Sequence, residues 1–201
     1  MSSGSPAQVA HARRQRERIL DAAEHCFIAS GFHAASMADV ARTAGVSAGL
    51  IYRYFDGKSA IVRSIIARHL ETEGVSTLQR MQSSDDVCSC ILEVFDRWQR
   101  GDDPKMTAGL FLELSAECTR DPGIARAVRD SDEVYAERIT STVQRIARAK
   151  GVKLTAAAAR GRAVLLLGLV EGLATRVVRN PELRRNAFEP ALRQVLAVLL
   201  A

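Results

Sequence analysis

Residues 36–58 read SMADVARTAGVSAGLIYRYFDGK, and they contain two helix starts with a forced turn between them. The Ser36 hydroxyl can accept the free amides at a helix start, and Asp39, three residues on, completes a short version of the capping box. The helix it opens turns Met37, Val40, Ala41 and Ala44 to one side. Gly45 then permits a tight turn because glycine takes left-handed backbone without steric cost. Ser47 caps a second, shorter helix that carries Ile51 and Phe55 inward. Two short helices joined through Ala44-Gly45-Val46 form a helix-turn-helix, whose second helix lies in a DNA major groove while the first braces it across the backbone. A groove about 12 Å wide admits one helix, and Ser47, Ala48 and Gly49 at the tip are small enough to approach base edges and phosphates.

On the N-terminal side, Ile19, Ala22, Ala23, Cys26, Phe27 and Ser30 share one helical face, predicting a helix from about Ala12 to Ser30 that Gly31 ends. MSSGSPAQVA lacks an apolar signal-peptide core and reads as an unstructured lead-in over residues 1–11. On the C-terminal side, Ile61, Ile65, Ile66 and Leu70 form the stripe of a long helix from Asp56 to about Met81. Helices near 85–100, 104–118 and 122–150 follow, the last two starting at Asp103-Pro104 and Asp121-Pro122, with an acid at the cap and proline in the first turn. Two more, near 155–179 and 187–200, flank Asn180-Pro181. No strand-like alternation persists, so the expected fold is all-α with about nine helices: a helix-turn-helix domain over 12–58 and a helical bundle over 59–201.

Ala41, Ala44-Gly45-Val46-Ser47, Gly49, Tyr52, Tyr54-Phe55 and Lys58 together resemble the motif of the TetR family of bacterial transcriptional regulators. The resemblance is specific over residues 15–60 and extends to the whole chain through helix count and length. It implies base-edge contacts from Ala48, Leu50 and Tyr52, phosphate contacts from Ser36, Thr43, Tyr54 and Lys58, and Ser47 and Gly49 on the same outward side. Leu50 replaces the small or polar residue usual there, which points to apolar contact with a thymine methyl. Gly57 and Ser59-Ala60 also depart from the family pattern, implying that Lys58 is held less rigidly. Arg13, Arg14 and Arg16 would form an N-terminal arm near the DNA.

The helix near 155–179 is apolar almost all round, so it must be buried on both sides. Leu165, Gly168, Leu169, Gly172 and Leu173, with Leu192, Val195, Leu196 and Leu199 of the last helix, resemble the pair that builds a four-helix dimer interface in the family. A two-fold dimer also suits a palindromic operator. The family resemblance further implies an effector cavity among the middle helices, where Met81, Phe95, Trp98, Met106, Leu110, Phe111, Leu114, Cys118, Tyr135 and Ile139 supply an apolar lining. The function implied is a ligand-responsive repressor, released from double-stranded DNA by a small-molecule effector.

Other readings need residues that this chain lacks or arranges differently. His11, His25, His33 and His69 form no HExxH, and neither GxSxG nor a phosphate-cradling glycine loop occurs, so no catalytic site or cofactor is expected. Cys26, Cys88, Cys90 and Cys118 lack metal-ligand spacing; they suit a reducing cytoplasm, with a redox sensor on the same scaffold as the alternative. The longest apolar run, residues 163–170, is too short to span a bilayer. The net charge of +5 does not locate a DNA face: residues 1–58 hold seven basic and five acidic side chains. A helical adaptor would be told from a DNA binder by the absence of salt-dependent duplex binding.

Overall fold

The computed structural model describes residues 6–72, 78–101 and 106–200, and every regular element among them is helical. Helix α1 spans Pro6–Ala34, α2 Met37–Ala44, α3 Ala48–Tyr52 and α4 Lys58–Thr72. The helical bundle follows as α5 (Ser84–Arg100), α6 (Ala108–Glu117), α7 (Pro122–Ala149), α8 (Ala156–Arg179) and α9 (Glu189–Leu199), with a 3-10 turn at Arg185–Ala187.

Local chemistry explains most of the boundaries. Ser36 and Asp39 form a reciprocal capping box at α2, and Ser83 with Asp86 forms another at α5. Thr107, Asp121 and Thr155 each accept amides at the starts of α6, α7 and α8. At Gly31 the backbone leaves the helical region (φ 78°, ψ 162°), so the long regular part of α1 ends where glycine was expected to end it.

Some boundaries differ from expectation. Helix α1 begins at Pro6 rather than Ala12, so residues 6–11, read above as an unstructured lead-in, are helical. Helix α6 starts under its Thr107 cap; the Asp103-Pro104 start lies outside the described residues. The continuous helix to Met81 crosses residues 73–77, which also lie outside them, as does the side chain of Leu70; residues 78–80 are helical and Met81 is not.

Three apolar cores organise the chain. The first joins Ile19, Ala23 and Phe27 of α1 to Val40, Ile51 and Phe55, and then crosses residue 58 to take in Ile61, Val62 and Ile65 of α4 and Leu110, Leu114 and Ile124 of the bundle. The second packs α5 against α7, α8 and α9 through Leu92, Val143, Ile146, Leu166 and Leu196. The third centres on Phe95, whose ring meets Phe188 edge-on at 4.9 Å. Helix α1 thus touches both α2 and α6, and α4 lies along α7, so the reader shares a core with the bundle.

Candidate nucleic-acid interface

Helices α2 and α3 are short, amphipathic and tightly joined. Gly45 sits in the left-handed region (φ 62°, ψ 39°), its amide bonded back to the Ala41 and Arg42 carbonyls. Ser47 takes the Leu50 amide at 3.2 Å and starts α3. With Ile51 and Phe55 buried, the opposite side of α3 is presented outward: Ser47, Ala48 and Gly49 are exposed, Leu50 is half-buried, and Tyr52 is 56% exposed. Nothing lies within 4 Å of where a Gly49 side chain would begin, so open space surrounds the helix tip.

The residues assigned to phosphate are less uniform. Ser36 is exposed, and its hydroxyl donates to Asp39 Oδ2 at 2.6 Å while accepting the Asp39 amide at 3.1 Å. The Ser36 hydroxyl and the Ser36 backbone amide, both donating to Oδ2, hold the Asp39 carboxyl below the usual carboxylate range. Thr43 is exposed, with its hydroxyl 3.3 Å from Cys26 Sγ. Tyr54 is half-buried and packs on the first core. Lys58 is half-buried and anchored: Nζ donates to the His33 carbonyl at 3.3 Å and lies 4.2 Å from the Phe32 ring centre. Burial pushes its ammonium pKa down, against the pull of Glu117 and Glu113. Lys58 thus has contacts at both His33 and Phe32, with Gly57 and Ser59-Ala60 departing from the family pattern beside it.

Arginines on α1 brace this unit, and the sequence reading gave them another role or none. Arg16 is no free arm: Nη2 donates to Ser64 Oγ at 2.6 Å and the guanidinium covers the Phe55 ring at 4.5 Å. Arg18 reaches the Gly45 carbonyl at 3.4 Å. On α4, Arg68 pairs with Glu17, Asp21 and Glu24 at 3.0, 2.7 and 2.7 Å. The acid spacing 17, 21, 24 on one helical face was the available signal for a single cation opposite it. Arg13 and Arg14 remain exposed.

The candidate effector residues are shared among three packed cores rather than gathered round one. Met106, Leu110, Leu114 and Cys118 belong to the first, Met81 and Ile139 to the second, and Phe95, Trp98 and Phe111 to the third. Trp98 donates its indole N–H to the Met106 carbonyl at 2.8 Å, and Tyr135 is half-buried on α7. Even spacing along amphipathic helices could not show which neighbour each face meets. Burial raises the thiol pKa of Cys88, Cys90 and Cys118, opposite to the lowered value that a redox switch needs.

Of the residues assigned to a dimer seam, Leu165, Gly168, Gly172 and Val195 are exposed, and Leu169, Leu173 and Leu199 are half-buried. Leu192 and Leu196 instead fill the second core of their own chain, because they sit on the face of α9 turned to α5. Val164 on α8 and Val198 on α9, at 54% and 73% exposure, are further apolar side chains left open on these two helices. Val164 and Gly168 also line a groove of about 310 Å³ between α7 and α8, together with Ala136, Leu167 and the charged Arg129, Asp132, Glu133, Arg160 and Glu171. Asp132 and Glu171 are exposed by area, yet partial burial pushes both carboxyl pKa values up, and the Asp132 charge adds to the rise at Glu171.

Comparison with known proteins agrees with this architecture. Residues 19–65 match the model of bacterial regulatory proteins of the tetR family, and residues 85–201 match that of the BetI-type transcriptional repressor C-terminal domain. The HTH-type transcriptional regulator UidR of Escherichia coli K12 is 26% identical over 198 residues, covering 94% of each chain. Among solved structures, Salmonella enterica GusR superposes with a TM-score of 0.73 at 25% identity, covering 93% of this chain and 95% of its own. Bacillus subtilis FadR, solved in complex with stearoyl-CoA, has a TM-score of 0.69 at 19% identity, covering 90% and 96%. Among the described residues, no helix is long and apolar enough to cross a membrane. With an outward-facing helix-turn-helix at one end and a matching repressor-type bundle behind it, the chain belongs to the TetR family of bacterial transcriptional regulators.

Proposed function

We propose that the protein is a cytoplasmic, ligand-responsive repressor that binds a palindromic operator as a homodimer. The observation that carries this is the orientation of α3, with Ile51 and Phe55 in the core and Ser47, Ala48, Gly49, Leu50 and Tyr52 turned outward. Base edges are read from this face, and phosphate contacts are assigned to Ser36, Thr43, Tyr54 and Lys58. Val164 and Leu165 on α8 and Val195 and Val198 on α9 support dimerisation, because several large apolar side chains left exposed on neighbouring elements mark a contact surface.

Ligand response is supported by the stearoyl-CoA complex of FadR, a protein of the same fold. In this chain the effector seat is assigned to the middle helices around Trp98 and Phe111, whose rings stand 6.2 Å apart and are only partly buried. The effector releases DNA by favouring a spacing of the two readers that does not span both half-sites.

The test is fluorescence anisotropy on a labelled duplex selected from a randomised pool by the wild-type protein. Affinity should fall steeply with salt, with a log–log slope of about −0.9 per phosphate neutralised. A flat salt response would overturn the DNA-binding reading, and unchanged affinity at saturating concentration of a compound removes that compound as effector.

A further inference from the structure

Where the bundle meets the reader stand three carboxylates: Glu113 and Glu117, one helical turn apart on α6, and Asp121, the N-cap of α7. Each reaches the reader at a different place. Glu113 on α6 accepts the backbone N–H of Phe32. Glu117, only 7% exposed, lies 2.8 Å from His33 Nε2 and also pairs with Arg120 at 3.1 Å. Asp121 caps α7 by accepting the Gly123 and Ile124 amides at 2.7 and 3.1 Å, and takes the Ser59 hydroxyl of α4 on its other oxygen.

Two features indicate that this row is built for the corner it grips. A side chain at Gly31 would begin 2.6 Å from Glu113 Oε1, so the missing side chain is the notch into which the carboxylate fits. The same corner holds Lys58, through the His33 carbonyl and the Phe32 ring, and so joins the end of α1 to the start of α4. The row therefore touches both reader elements at the junction: the α1 corner through residues 113 and 117, and the first turn of α4 through residue 121.

We propose that Glu113, Glu117 and Asp121 are positioning residues for DNA recognition, fixing the angle of each reader on its bundle so that the two readers of a dimer match the two half-sites. Glu113 is the central member, because charge-assisted hydrogen bonds to backbone amides are directional and strong. Lateral drift of one reader is of no consequence on a single half-site, where the protein can shift with it. On a palindrome both readers must fit at once, and looseness is felt. This inference rests on the dimeric, palindrome-binding reading above.

The experiment compares full-length wild type with E113Q on two labelled duplexes: the palindrome selected from a randomised pool, and the same duplex with one half scrambled. E113Q keeps the shape but loses the charge. The expected result is a fall of about tenfold in affinity for the palindrome, with half-site affinity unchanged and unfolding still cooperative. Equal loss on both duplexes would show a merely structural role, and no loss or a gain on the palindrome would also overturn the inference. If E113Q does not fold, D121N is read in the same way, since asparagine still caps α7. Wild type that binds palindrome and half-site alike, or selects no palindrome, would instead overturn the dimeric reading. A selective wild type with an equally selective E113Q leaves that reading standing and removes only this one.

Discussion

Arg18 and Gly45 share one small space: the guanidinium reaches the Gly45 carbonyl at 3.4 Å, and a side chain at Gly45 would begin 2.6 Å from Arg18 Nη2. G45A is therefore predicted to strain the left-handed turn and displace Arg18. The expected loss of stability is about 1–2 kcal/mol, read by urea unfolding. Duplex affinity should fall with it, because the turn sets α3 on α2.

Gly49 gives the opposite separation of stability from function. It lies within α3 with open space around it, so G49A should leave stability unchanged or raise it by up to about 1 kcal/mol. Its methyl nevertheless stands where base edges approach, and anisotropy should report weaker duplex binding from a protein that melts no earlier.

Leu165 and Val198 test the proposed dimer contact, being 58% and 73% exposed. L165E/V198E should elute as a monomer where wild type elutes as a dimer, and should lose preference for a palindrome while its unfolding stays cooperative. A double mutant that remains dimeric would remove this face from the proposed interface.

Acid stability has a predictable sign. Asp39, Asp86 and Asp121 are held below the usual carboxylate range by bonds at helix starts, led by Ser36, Ser83 and Ser59 respectively. Their contribution is complete above the unfolded value of about 4 and is lost as pH falls through the lowered folded values. Asp132 and Glu171 work in the other direction: their raised values contribute stability below the unfolded pKa that is lost as pH rises through the folded one. Because Asp132 and Glu171 act alike in both proteins, the urea midpoint of wild type should fall relative to that of D39N/D86N/D121N as pH is lowered from 5.

Local rules carried the sequence reading furthest where the answer lay within a few residues. Ser36, Asp39, Gly45 and Ser47 declare their caps and turn by type and spacing, and Asp121-Pro122 does the same for α7. The dimer surface was legible only as a face that must be covered; whether Leu192 and Leu196 meet their own chain or another depends on where α5 lies, which spacing along α9 does not encode. The same limit applied to Arg16, whose charge suggested DNA but whose partners, Ser64 and Phe55, lie far away in sequence. The carboxylate row was missed because Phe32 enters it through a backbone amide, which no side-chain pattern announces.

The clasp of Arg68 by Glu17, Asp21 and Glu24 bears on how such proteins can be recombined. It ties the middle of α4 to three successive turns of α1, so the unit that can be transplanted whole extends past residue 68 rather than stopping at Lys58. A chimaera spliced at residue 58 would leave three acids on α1 facing whatever side chain the donor supplies, one of them, Glu24, only 8% exposed. Exchange of sensing modules between relatives is thus easiest where the incoming α4 also carries its own cation at this turn.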